Sequence, residues 1–125
     1  VTTVEPLAEL ELEEVGHTLV ARVRGEIDLS NVEDLRARLV AAVSHDWERL
    51  VLDLTETSYL DSTGVRLLFE LADRLHGRRQ QLRLVVADRA LVRRVVVLTQ
   101  LDARVPIDAT LAAALAAPVT DSERD

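Results

Sequence analysis

Leu50-Val51-Leu52-Asp53-Leu54-Thr55-Glu56-Thr57-Ser58-Tyr59-Leu60-Asp61-Ser62-Thr63-Gly64-Val65 passes from an apolar run, through a short polar crossing, into an amphipathic segment. It predicts strand, loop and helix. Only Asp53 interrupts the run from Leu50 to Leu54, as a central strand covered on both faces requires. Asp61 or Ser62 can accept hydrogen bonds from the first free backbone donors of the helix. Behind them Val65, Leu68, Ala72 and Leu75 recur at intervals of three and four, giving one buried stripe that faces the sheet.

The start of that helix carries the chemistry. Ser62 lies in or next to the first turn, where backbone N–H groups point outward and the macrodipole favours negative charge, so a phosphate there is held as well as tolerated. Gly64 removes a side chain beside it and lets another surface approach closely, at a cost of about 1 kcal/mol of helix propensity relative to alanine. Local chemistry also accommodates a plainer account, in which Ser62 and Thr63 only cap the helix and Gly64 only eases a bend.

Outward from this stretch, Leu7 to Glu13 alternates leucines with acidic residues and fits an edge strand blunted by charge. Glu14 to His17 turns the chain into Thr18–Arg24, making an antiparallel hairpin. Ile27, Asp28 and Leu29 form a loop leading to Ser30, which with Glu33 matches a capping box. From Asn31 to about Ser44, Val32, Leu35, Leu39 and Val43 form one apolar stripe. Trp47 covers one end of the core, since no basic cluster or second aromatic accompanies it. His76 and Gly77 stop the long helix, with Gly77 free to adopt positive φ, and Arg78 and Arg79 form a solvated turn into the strand Leu82 to Val86. Asp88 caps a third helix from Arg89 to Leu98, with Leu91, Val92, Val95 and Leu98 inward, although Val95-Val96-Val97 has strand propensity. Arg104 to Ile107 fits a short edge strand, where proline is allowed. Asp108 or Thr110 caps a final helix from Leu111 to Ala117, which Pro118 ends.

The assembled order predicts an α/β fold: a mixed sheet of about five strands with about four helices mostly on one side, joined by right-handed crossovers. Residues 7–117 form a single domain, with 1–6 a flexible leader and 118–125 a flexible tail. Functional loops belong at the carboxyl ends of parallel strands, where Ser62 falls. Asp28 leaves its strand in the same direction, so the two loops are expected to be neighbours.

Composition narrows the function. The formal charge of −7 disfavours nucleic acid as a direct partner. With no cysteine there is no disulfide and no thiolate zinc site. No apolar run approaches the roughly 20 residues that span a bilayer, and no secretory signal pattern opens the chain, so a cytoplasmic protein without a membrane partner is expected. All fifteen basic residues are arginines. A response-regulator role for Asp53 would commonly need a lysine, and the chain has none. Ser62 lacks the Gly-x-Ser-x-Gly elbow, and none of His17, His45 or His76 is placed as a base beside it. No Walker loop is present. Asp61 positions the helix start or repels a second anion rather than holding a metal. No cofactor, no metal and no catalytic residue is expected.

Leu60-Asp61-Ser62-Thr63-Gly64-Val65, preceded by Val51-Leu52-Asp53-Leu54, resembles the signature of bacterial anti-sigma factor antagonists, the STAS-domain proteins. Gly25-Glu26-Ile27-Asp28, Leu82-Arg83-Leu84-Val85-Val86, Val92-Arg93-Arg94-Val95 and Leu98-Thr99-Gln100-Leu101-Asp102 extend the resemblance over nearly the whole chain. The resemblance implies a STAS-like fold and places the phosphoacceptor on Ser62. It also implies a partner switch and no enzymatic activity of the chain itself. The unphosphorylated protein would bind an anti-sigma factor that is a serine kinase, phosphorylation of Ser62 would end the complex, and a serine phosphatase would reset it. Asp28, Asp61, Ser62, Thr63 and Gly64 are the expected partner-binding residues. A non-phosphorylated STAS scaffold in a signalling assembly is the alternative function, and a serine hydrolase the more remote one.

Overall fold

The computed structural model describes residues 8–43 and 46–119; the expected leader, the end of the first helix at Ser44, His45 and most of the tail lie outside them. Strand β1 (Ala8–Val15) pairs antiparallel with β2 (Thr18–Ile27), from Ala8 opposite Gly25 to Val15 opposite Thr18. The connecting turn is therefore Gly16-His17, shorter than expected, and Gly16 supplies the positive φ of 60° that such a turn favours.

Helix α1 (Val32–Val43) buries Val32, Leu35, Leu39 and Val43, the stripe its sequence spacing defines. The capping box does not form. The Ser30 hydroxyl donates to Asp28 and Glu33 pairs with Arg36, while the Val32 N–H reaches the Asp28 carbonyl oxygen at 2.9 Å. Trp47 packs against the core and donates its indole N–H to the Ala42 carbonyl at 3.2 Å.

Strand β3 (Arg49–Asp53) runs parallel to the first half of β2 and is buried at every residue. The polar crossing, expected as loop, holds a strand: β4 (Thr57–Leu60) pairs in parallel with the second half of β2. Four residues with two polar side chains give too little alternation to reveal it. The register shifts between Gly25 and Glu26, where β2 passes from one partner to the other. Gly25, at φ 104°, donates its N–H to the Glu56 carbonyl, and the Thr57 hydroxyl donates to the Val23 carbonyl at 2.8 Å.

Helix α2 (Ser62–Gly77) follows β4 and buries Val65, Leu67, Leu68, Leu71, Ala72 and Leu75. Its end does not use glycine as expected: the left-handed residue is Arg79, φ 63°, and Gly77 still belongs to the helix. Strand β5 (Gln81–Val85) is parallel to β3. Helix α3 (Leu91–Leu98) begins after Ala90, which makes no side-chain cap, and Asp88 pairs with Arg93 instead. The inward face is Val92 and Val96, with Val95 packed partly buried against the core as expected, while Leu91 and Leu98 are exposed rather than buried. After a 3-10 turn over Leu101–Ala103, β6 (Ile107–Asp108) pairs with β5, later and shorter than the strand expected at Arg104. Thr110 caps α4 (Leu111–Ala116) by accepting from the Ala113 N–H.

The sheet has six strands in the order β1-β2-β3-β5-β6, with β4 continuing beside β2. The main core joins one face of this sheet to α1, α2 and α3. A smaller cluster of Val20, Val51, Val85 and Ala114 seats α4 on the other face. Arg49, 5% exposed, ties that layer down: its guanidinium donates to the Ala117, Ala114 and Leu115 carbonyls at 2.8, 3.2 and 3.4 Å, and to the Thr18 hydroxyl. These carbonyls lie at the helix end that lacks internal donors. Among the described residues, no helix is long and apolar enough to cross a membrane.

Candidate functional site

Strands β2 and β4 run parallel, so Ile27 and Leu60 deliver Asp28 and Asp61 to the same end of the sheet. The two loops adjoin. The Asp61 N–H donates to the Ile27 carbonyl at 3.1 Å, and the Leu29 N–H donates to Asp61 Oδ2 at 3.1 Å.

Asp61 occupies the capping position of α2 and divides its oxygens between two tasks. Oδ1 accepts from the Thr63 and Gly64 N–H groups at 2.9 and 3.1 Å, as well as from the Thr63 hydroxyl at 2.5 Å; Oδ2 holds the neighbouring loop. Burial pushes the Asp61 pKa up, but hydrogen bonds from Thr63, Gly64 and Leu29 outweigh it and hold the carboxyl below its ordinary range. The group is therefore a carboxylate at neutral pH. It fixes the loop geometry rather than offering a proton.

Ser62 is the first residue of α2 and is exposed, and among the described residues no hydrogen bond engages its hydroxyl. Thr63 differs in this respect, because its hydroxyl is committed to Asp61. One helix-start hydroxyl faces solvent and the other is held within the fold.

Asp28 is half-buried and organises its own loop: Oδ1 accepts from the Ser30 N–H at 3.0 Å and from the Ser30 hydroxyl at 2.6 Å. Asn31 closes the loop from the other side, accepting from the Asp28 N–H and donating to the Glu26 carbonyl. Asp28, Asp61, Ser62 and Thr63 are thus brought together around the ends of two adjacent strands.

Gly64 requires a correction. It is buried, and a Cβ placed on it would collide with Leu60 Cδ1 and stand 3.0 Å from Ile27 Cγ2. The close approach that glycine permits is internal, between α2 and the ends of β2 and β4, and not toward an outside surface. Its contribution to the site is the N–H that Asp61 accepts.

Two exposed apolar side chains beside the site escaped the sequence reading. Leu29 is 73% exposed while its N–H is bound to Asp61, and Tyr59 is 43% exposed on β4. The available signal was a leucine flanked by Asp28 and Ser30 in a loop, but a single apolar loop residue carries little weight. Asp53 is remote from this arrangement, buried and accepting from the Thr55 N–H and hydroxyl at 3.0 and 2.8 Å.

Residues 9–114 match the STAS domain. A Bordetella bronchiseptica protein, BtrV, described as an anti-sigma factor antagonist, is 33% identical over 67 residues. That match covers 54% of this chain and 58% of the relative, so the chain aligns with little more than half of BtrV's length. The crystal structure of an anti-sigma factor antagonist from Mycobacterium paratuberculosis superposes with a TM-score of 0.81 at 30% identity, covering 94% of this chain and 95% of that one. The anti-sigma factor antagonist SpoIIAA in its unphosphorylated form gives a TM-score of 0.71 at 27% identity, over 86% and 93% of the two chains. SpoIIAA has also been solved in a phosphorylated form, similar at a TM-score of 0.63 and 25% identity over 86% and 96%. With the STAS match spanning most of its length, and with the parallel strand ends that carry Asp28 and Ser62, the chain belongs to the STAS domain family, in its anti-sigma factor antagonist branch.

Proposed function

We propose that this chain binds a kinase-type anti-sigma factor while unphosphorylated, and that phosphorylation of Ser62 ends the complex. The observation that carries this reading is the contrast at the start of α2: the Ser62 hydroxyl is exposed and unengaged, whereas that of Thr63 is bound to Asp61. The partner kinase supplies the catalytic groups and ATP. The Ser62 oxygen forms a bond to the γ-phosphorus of the kinase-bound ATP, its proton passes to a base of the kinase, and the bond from that phosphorus to the β,γ-bridging oxygen breaks to release ADP.

Phosphoserine carries nearly two negative charges at neutral pH. Attached beside the Asp61 carboxylate, it replaces a neutral hydroxyl with further negative charge, and in a desolvated interface such charge opposes binding without refolding either protein. A serine phosphatase restores the binding form. Asp28, Asp61 and Thr63 shape the face around the acceptor, and the exchange takes place in the cytoplasm. SpoIIAA, known in unphosphorylated and phosphorylated forms with the same fold, supports the reading by similarity.

The test is incubation with the cognate kinase and ATP, followed by peptide mapping and calorimetric titration of both forms against that kinase. One phosphate on Ser62 and a large loss of affinity are expected. Phosphate mainly on Thr63, or equal affinity of the two forms, would reject the switch.

A further inference from the structure

Helix α3 is anchored on one side and uncovered on the other. Val92 and Val96 are fully buried, yet Leu91, Val97 and Leu98 are 53%, 50% and 81% exposed. With Arg94 between them at helical spacings of three and four, these side chains form one outward stripe. Beside it lies an open groove of about 450 Å³, lined by Ala90, Val97 and Leu98 together with Asp88 and three arginines.

The charge of this groove runs against that of the molecule. Three arginines face one aspartate here, in a chain of formal charge −7. Arg93 is committed, donating to the Val86 carbonyl at 3.1 Å and pairing with Asp88 at 3.2 Å. Arg89 and Arg94 are exposed and, among the described residues, enter no ion pair. Apolar side chains flanked by unpaired cations match a segment that is apolar on one face and acidic on the other.

We propose that α3 is a second docking surface, receiving an acidic amphipathic helix of a protein partner, with its apolar residues against Val97 and Leu98 and its carboxylates on Arg89 and Arg94. A two-fold contact with another copy of this chain would set the arginines against each other. Nucleic acid is disfavoured by the overall acidity and by the absence of a stacking aromatic in the groove. The inference needs no phosphorylation. It is independent of the Ser62 reading, although α3 packs against β4, the strand that leads to Ser62.

The probe is a designed helical peptide of about 15 residues, with leucines on one face and glutamates on the other, compared with the same peptide carrying lysines. Amide chemical-shift changes in the full chain are expected to centre on residues 89–98 for the acidic peptide only, and binding should weaken with salt. Arg89→Glu with Arg94→Glu, or Leu98→Ser alone, should each reduce affinity by about tenfold or more; these side chains are exposed, so the variants should fold. Ser62→Asp should leave this binding unchanged, which separates failure here from failure of the switch. Absence of binding by the acidic peptide, equal binding of the lysine peptide, or shifts centred elsewhere would overturn the proposal. Self-association abolished by Leu98→Ser would also overturn it, giving the surface to a second copy.

Discussion

Asp61 holds Leu29 across two loops: the Leu29 N–H reaches Asp61 Oδ2 at 3.1 Å, while Oδ1 of the same carboxylate caps the helix that begins with Ser62. Ser62 and the Asp28 loop are thereby fixed to one another through a single side chain. A helix cap is ordinarily local. Here it also sets the shape of the end of the sheet.

Replacing Asp61 by alanine should cost about 0.5–2 kcal/mol for the cap, with a further penalty from the released Leu29 N–H. Urea unfolding measures the total, and faster amide exchange at Leu29 would report the second part. Replacement by asparagine should retain more of the cap than alanine does.

The same carboxylate predicts a pH dependence. Its folded pKa is held below the unfolded value, so its contribution is fully present above the ordinary carboxyl range, near about 3.9, and is lost as pH falls through the lowered folded value. The stability difference between wild type and Asp61→Asn should therefore shrink in acid. A difference that stayed constant from neutral pH to the acid limit would contradict the assignment.

Gly64→Leu should destabilise the fold, and not simply obstruct a partner, because its side chain must displace Leu60 and Ile27. Overpacking of this kind costs about 1–3 kcal/mol. Gly64→Ala should lose less, since about 1 kcal/mol of helix propensity is regained. Thermal unfolding followed by circular dichroism distinguishes this from unchanged stability with weakened binding.

Arg49→Met should loosen α4 selectively. Losing the guanidinium leaves the Ala114, Leu115 and Ala117 carbonyls without that donor, at a cost of about 1–3 kcal/mol. Hydrogen exchange should rise in α4 before it rises in β3 or β5. Uniform exchange across all three would remove Arg49 from the role of fastening the layer.

At Ser62 itself, alanine should preserve fold and partner binding, because the cap is provided by Asp61 and the lost hydroxyl is exposed. Aspartate should bind the proposed anti-sigma partner more weakly, by about tenfold or more, through charge at the proposed contact. Titrating both variants against that partner decides this; wild-type affinity in the aspartate form would sink the charge mechanism.

The sequence by itself determined the helices whose apolar stripes are long and regular. In α1, Val32, Leu35, Leu39 and Val43 specify the buried face directly, and in α2 Val65 to Leu75 do the same. It also determined the β1–β2 hairpin, the buried central strand, and the placing of Ser62 at a helix start, since capping and periodicity act over a few residues. Only the tertiary structure decided what depends on contacts distant in the chain. Strand β4 exists because the far half of β2 offers it a parallel edge, and no pattern within Thr57–Leu60 encodes that edge. Helix α3 is apolar at Leu91 and Leu98 as well as at Val92 and Val96, and only its packing decides that the second pair is covered. Asp61 joins Leu29 across 32 positions and Gly64 turns inward against Ile27. Local spacing shows which face of an element is apolar, but what that face meets is fixed by the register and crossing of the strands beneath it.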